Sequence, residues 1–399
     1  MVTLHDLEYF LWYQLPAKFL TSHDHHRAVA AALGDLLNDL GYEDGAALCR
    51  GPVTTHVLAE WEKGRSSGHR ALRKALDASG VEPPDTDALG WGSAMGTVEA
   101  SVFQTASSVL ERALTEGAFA PGARGWKQAQ AVVMRRFLTT PLHSLDELTP
   151  QAAVWEERWR LWAERPGRPL RQALIHDVSE RFRGLPATPD ALADRMLQLL
   201  RLLEIAGTNP SLTQAGYLPP RIVQELVREL GWWHLDKPPR SEADAPEVMT
   251  LMAFAKEAAL VRRVRGSLRL TELGRRAVSD HAVLWEGVVK VLAGGEGFAS
   301  TIRELLLVRL LKGAGERGLI EGEILPVLSE AGWKPSDGRE LTRDMVSSRL
   351  WDSIRPMGLL GMVEAGEWPD RSLRLTEFGA DSARAILWHR ATAAGQSLA

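Results

Sequence analysis

The sequence predicts a mainly α-helical fold. An all-helical N-terminal domain over residues 1–184 is followed by two tandem winged-helix-like units at 190–293 and 299–390, each with a short β-hairpin. Three observations predict it. Apolar residues recur at helical spacing along most of the chain, and alternating, strand-like runs are few. The string Ser267-Leu-Arg-Leu-Thr-Glu-Leu-Gly274 returns 105 positions later as Ser372-Leu-Arg-Leu-Thr-Glu-Phe-Gly379. Ahead of each copy lie three helical segments and the start of a hairpin, which is the element order of a winged helix. The 399 residues suffice for two or three cores of ordinary size.

The first helix is expected from His5 to about Leu15. Its apolar ring of Leu7, Phe10, Leu11 and Tyr13 is too wide for a surface helix, and Pro16 should end or kink it. Arg27 to Leu40 follows, with Ser22 or Asp24 as N-cap and Gly41 as the stop signal. Val53 to Trp61, Val98 to Glu116 and Trp126 to Leu138 read as further helices, separated by turn chemistry at Pro83-Pro84 and Pro121-Gly122. Breaks are expected at Arg165–Pro169 and between Gly184 and Asp190, the second being the main boundary. The small, polar tail after Arg390 should fray.

In the first repeat the helices are Ala191 to Ala206, Pro220 to Leu230 and Pro246 to Ala258, with an extended piece near Leu212. Its hairpin pairs Leu260–Val264 with Ser267–Leu270 across Arg265-Gly266. In the second the helices are Thr301 to Lys312, Gly322 to Ala331 and Arg339 to Ile354, with an extended piece near Leu319 and a turn over Glu364–Arg371. Gly231-Trp232 matches Gly332-Trp333, and Leu284-Trp285 matches Leu387-Trp388. Thr271 and Thr376 are placed to cap the helices that follow them. Trp285 and Trp388 are expected to fill the cores of their own units.

The balance of 45% hydrophobic and 25% charged residues is that of a folded protein. A net charge of −4 gives no global attraction to nucleic acid or an anionic membrane, so any basic site must be local. The single cysteine, Cys49, fits a reducing compartment. The acidic N-terminus lacks a basic n-region, and no apolar run is long enough to span a bilayer. The expectation is a cytoplasmic protein without membrane contact.

The first hairpin is the strongest candidate site. Arg262, Arg263, Arg265 and Arg269 lie on it, with Arg275 and Arg276 just beyond and Glu272 as the only nearby acid. Such a wing suits nucleic-acid phosphates; the plainer reading is the solvated face of a ribbon. The third helix of that unit (Val248, Met249, Leu251, Met252, Phe254) carries no base-reading residue except Lys256, and the second wing is acidic (Glu364, Glu367, Asp370). Trp155, Trp159 and Trp162 form one helical stripe and, with Trp368, are candidate protein contacts; core packing is the alternative for the stripe.

Other motifs have plainer explanations. Gly313-Ala-Gly-Glu-Arg-Gly318 matches a dinucleotide fingerprint but follows a helix, so it reads as a glycine stop. His23-Asp24-His25-His26 lacks the i, i+4 spacing of helix-borne metal ligands. His176-Asp177 has no activated nucleophile beside it, and Cys49 next to Arg50 reads as a small core residue. No catalytic residue, metal or cofactor is assigned. The expected function is a non-catalytic protein-interaction or assembly scaffold; the alternatives are a DNA-binding regulator using the first wing and an enzyme with an unrecognised site.

The string Leu212-Thr-Gln-Ala-Gly-Tyr-Leu-Pro219, with Leu260-Val-Arg-Arg263 and Leu270-Thr-Glu-Leu-Gly-Arg275, resembles a helical, winged-helix region of plasmid-borne open-reading-frame proteins of high-GC bacteria. The resemblance covers about a quarter of the chain and implies the fold and a bacterial setting, with no activity attached. Phe137-Leu-Thr-Thr-Pro141 with Leu145-Asp-Glu-Leu-Thr-Pro150 is similar to the toxin-binding segment of an antitoxin family, but lacks that family's central glycine.

Overall fold

A computed structural model describes residues 2–19, 21–232, 237–366 and 372–394. Helix makes up 66% and strand 5%, so the mainly helical class expected from the periodicity holds, with strand confined to short antiparallel pairs. Among the described residues no helix is long and apolar enough to cross a membrane. The chain divides into two compact units, one ending at Arg158 and one running Trp159–Thr392. The Gly184–Asp190 break lies within the second of these as a non-helical connection.

The first unit opens with α1 (Leu4–Tyr9), a π-helical turn (Phe10–Gln14) and α2 (Leu15–Lys18). Of the two outcomes expected at Pro16, an end or a kink, the end does not occur: helix continues through it, changing from a π turn to an α-helix there. Proline has no N–H to give the carbonyl four residues back, that of Trp12. The Trp61 indole N–H donates to that carbonyl instead at 2.9 Å, and the wide turn closes through the Leu15 N–H on the Phe10 carbonyl. Then follow α3 (His23–Asp39), α4 (Glu43–Arg50), α5 (Pro52–Glu62) and α6 (Arg65–Ser79). Ser22 caps α3 by accepting from the His25 N–H at 3.3 Å. Leu7, Leu11, Trp12, Leu37, Val57 and Trp61 form one core of this unit.

A second core in the unit joins α7 (Thr97–Thr115), α8 (Trp126–Thr139) and α9 (Pro150–Ala163), around Val102, Leu110, Met134, Leu138 and Val154. Glu157 takes the role of cap for α7: its carboxylate accepts from the N–H groups of Val98 and Glu99, both at 2.8 Å. Anionic charge at a helix N-terminus is favourable, and this one is buried. Gly96 is required there, because a Cβ would sit 2.5 Å from that carboxylate. Beside it Arg158 and Glu99 form a fully buried ion pair, with Arg158 also donating to the Gly90 carbonyl at 2.8 Å.

The second unit continues with α10 (Pro169–Arg181), α11 (Leu192–Arg195), α12 (Leu197–Gly207), α13 (Pro220–Glu229) and α14 (Pro246–Glu257). The helix expected from Ala191 is broken at Met196, which sits outside helical geometry with its side chain fully buried. A hairpin follows, β1 (Val261–Val264) and β2 (Ser267–Leu270), then α15 (Glu272–Ser279) and α16 (His281–Ala293). Ser211, next to the expected Leu212, bridges Ser267 on β2.

The remaining elements are α17 (Phe298–Leu311), β3 (Gly315–Glu316), α18 (Arg317–Glu330), α19 (Arg343–Leu359), β4 (Val363–Ala365), β5 (Ser372–Leu375) and α20 (Glu377–Thr392). The extended piece is thus at Gly315–Glu316, and Leu319 lies in α18. β3, β5 and β4 form one sheet in that order. The tail expected to fray is helical through Thr392, and residues 395–399 lie outside the described residues.

The two Leu-Thr-x-x-Gly strings are built alike. Thr271 Oγ1 accepts from the Gly274 N–H at 2.9 Å, and Thr376 Oγ1 from the Gly379 N–H at 2.8 Å. A Cβ on Gly274 would lie 2.0 Å from the Leu260 carbonyl oxygen, and one on Gly379 would lie 1.8 Å from that of Met362. Glycine is needed at both places because backbone meets backbone. Gly274→Ala and Gly379→Ala are each expected to cost about 1–3 kcal/mol through forced backbone shifts, read as lowered thermal midpoints. Melts that superpose on the wild type would contradict this packing.

Trp285 and Trp388 are both buried, as expected, but each reaches beyond its own repeat. The Trp285 indole donates to Ser382 Oγ on α20 at 3.3 Å, and the Trp388 ring lies 5.2 Å from that of Trp159 on α9.

Candidate functional site

The first hairpin turns at Arg265 (φ 48°) and Gly266 (φ 74°), both left-handed as a two-residue turn between twisted strands requires. The tight turn fixes the register: Val261 opposes Leu270, Arg262 opposes Arg269, Arg263 opposes Leu268 and Val264 opposes Ser267. Because strand side chains alternate between faces, Val261 and Leu268 go into the core. Arg262 and Arg269 are therefore exposed side by side on the other face.

Like charges directly opposite on a ribbon repel. Among the described residues no carboxylate pairs with Arg262, Arg263, Arg265, Arg269 or Arg276, all of them exposed. Arg275 differs, being ion-paired to Glu272. Arg263 points the other way from Arg262, over the loop at Gly216, where a Cβ would lie 3.0 Å from its Nη1. Lys256 is close enough to feel it. Burial, then the Arg263 charge, hold the Lys256 ammonium below its ordinary value. The hairpin is thus a local concentration of unneutralised positive charge on a chain of net charge −4, able to hold anionic oxygens.

The helix before the hairpin does not extend this surface. α14 buries Val248, Leu251, Met252, Phe254 and Ala255, and packs against α12 and α19. Its outward positions include Met249, Ala253 and Glu257, none of them an Arg, Lys, Asn or Gln that could make a bidentate contact to guanine or adenine. In the second hairpin Glu364 pairs with Arg374 at 2.6 Å. Glu367, Asp370 and Trp368 lie outside the described residues. On α19, Arg349 is paired with Asp352 at 3.1 Å, and the Arg317 guanidinium covers the Trp351 ring at 4.4 Å.

The tryptophan stripe packs inward. Trp159 and Trp162 are buried, their indoles donating to the Ser179 carbonyl at 3.1 Å and to Glu304 Oε1 at 3.2 Å. Trp155 is half-buried against the second core of the first unit.

Trp162 leads to a buried charge centre that sequence reading missed. Glu304 on α17 accepts from Arg171 Nη2 at 2.7 Å and from Arg390 Nε at 2.5 Å. Arg171 also reaches the Trp162 carbonyl at 2.7 Å, and Arg390 the Ala293 carbonyl at 3.1 Å. Burial alone would push the Glu304 carboxyl up, but the two guanidiniums outweigh it and hold it below its ordinary value. One signal was present in the sequence: a glutamate within the apolar run from Ile302 to Leu311. This centre ties α10, α17 and α20 together and is closed to solvent.

Several other motifs resolve locally. Gly313 (φ 138°) closes α17, and the next residues of the glycine string enter β3. His26 is buried, 3.3 Å from the Phe19 carbonyl. Burial pushes the Cys49 thiol up, away from a reactive thiolate. Set against protein-family models, curated proteins and solved structures, the chain matches none.

Proposed function

We propose that residues 190–293 and 299–390 are two winged-helix units in tandem, and that they form a non-catalytic interaction scaffold acting in the cytoplasm with protein as its partner. Strand order supports the fold. In the second unit β5 lies between β3 and β4, and in the first β2 lies between Ser211 and β1. In both, the first extended piece follows the first helix, and the closing hairpin follows the third. The resemblance to plasmid-borne bacterial proteins belongs to this reading and adds no activity.

The observation that carries the scaffold reading is the packing of α14 against α19. These are the third helices of the two units, the elements that would enter a major groove. Packed on each other, they serve assembly. Met249, Leu319 and Trp351, large apolar side chains left exposed, offer contact to a protein surface.

One observation favours a second reading, backbone contact with nucleic acid: Arg262 and Arg269 face each other and, among the described residues, neither has an acidic partner. Such contact is sequence-independent and weakens steeply with salt. Fluorescence anisotropy of a labelled random duplex should therefore show no complex tighter than about 10⁻⁴–10⁻⁶ M at physiological salt. Replacing Arg262 and Arg269 by alanine together should weaken binding to all duplexes alike and flatten the salt slope. An unchanged slope would remove the second reading, and a nanomolar, sequence-selective complex would overturn the first.

A further inference from the structure

We propose that a cavity beside α1 in the N-terminal unit binds a small, mainly apolar molecule carrying one basic nitrogen, which donates to Glu8. The cavity, about 490 Å³, lies among α1, α5 and α6, a size suited to a small ligand. Trp12, Val57, Ala75 and Val81 are buried in its wall, while Val53, His56, Lys74 and Ala78 are exposed at its mouth. Trp12 presents its ring and not its donor, since its indole N–H is already held by Thr54 Oγ1 at 2.8 Å. The π-helical turn that begins two residues after Glu8 sets Trp12 in this wall, and such turns often accompany binding sites.

Glu8 is the one carboxylate lining the cavity and is 4% exposed. Its Oε2 is buried without a hydrogen-bond partner. An unpaired buried oxygen is costly, and a ligand donor would remove that cost. Charge selects which donor. Glu82 and Glu111 add negative charge beside Glu8. Glu111 is itself occupied by the Leu4 N–H at 3.0 Å and the Tyr42 hydroxyl at 2.7 Å. Lys74 and His56 stand exposed at the mouth. A positively charged nitrogen thus meets a field that an anion would oppose and an alcohol would not use.

The same environment predicts a pH signature. Burial above all pushes the Glu8 carboxyl up to about 8, so at neutral pH it holds a proton that an arriving ammonium displaces. Affinity should then rise about tenfold per pH unit below 8 and level off above it.

The test is titration calorimetry of the full chain with n-octylamine, n-octanol and n-octanoate at pH 6, 7 and 8. The expected result is that the amine binds at least tenfold more tightly than the alcohol or the acid, with about a tenfold gain from pH 6 to pH 7. Glu8→Gln should abolish both the preference and the pH dependence. Ala78→Trp, at the exposed mouth, should abolish binding of the amine and the alcohol while the thermal melt stays cooperative. Equal affinity for all three probes, an amine preference that survives Glu8→Gln, or no binding of any probe to folded wild-type protein would overturn the proposal.

Discussion

Replacing Glu304 by alanine is expected to cost about 3–5 kcal/mol of stability, because it strands two buried guanidiniums, Arg171 and Arg390, in an interior without a counter-charge. The penalty comes from what is left behind. Removing all three charges together, as Arg171→Met, Glu304→Leu and Arg390→Met, should cost far less than Glu304→Ala alone, since a packed apolar core needs no compensation. Acid should mimic the single change. The folded carboxyl is held below its ordinary value, so its stabilisation is complete above the unfolded carboxylate range and is lost as pH falls through the folded one. Urea unfolding of the single and triple variants measures the comparison. A Glu304→Ala protein within about 1 kcal/mol of wild type, inside the scatter of an ordinary surface change, would mean the centre is not buried as described.

Glu8→Gln should act in the opposite direction, stabilising the protein by about 3 kcal/mol at pH 7. Burial, only partly offset by Ser79 and reinforced by Glu82 and Glu111, raises the folded carboxyl to about 8. The unfolded chain ionises this group near its model value of 4.5. Between those values the folded state binds the extra proton, so wild-type stability declines as pH rises from 4.5 to 8 and the decline stops above it. Glutamine carries no charge and removes this dependence. The gain should therefore be near zero at pH 4.5 and largest at pH 8, measured by urea unfolding across the range. A gain that does not grow with pH would show that Glu8 ionises normally and is not confined.

The elements whose information is local were legible in the sequence. Helical periodicity located α3, α5, α7 and α8 to within a few residues, Ser22 announced its cap, and Arg265-Gly266 fixed a two-residue turn. That turn and strand alternation together determine that Arg262 and Arg269 stand abreast, although only the structure shows that no acid among the described residues pairs with them. The remainder depends on partners distant in sequence. The helix survives Pro16 because Trp61, 49 residues beyond Trp12, supplies the missing donor to the Trp12 carbonyl. A two-residue strand such as β3 is too short to leave a period, and its pairing with β5 is settled by chain that comes much later. Glu304 has its partners 133 and 86 residues away. The apolar character of α14 was legible; the helices it packs against, α12 and α19 among them, were not.

On the reading proposed above, α14 and α19, the third helices of the two winged-helix units, pack against each other and serve assembly, not base reading. Repeated selection of bound sequences from a randomised duplex pool, with the full chain at physiological salt, tests it most directly. The account predicts a recovered pool with no enriched motif and only weak, salt-sensitive retention through the arginine hairpin. Convergence on one motif, bound with nanomolar affinity and lost on substitution of exposed residues of α14 or α19, would contradict it.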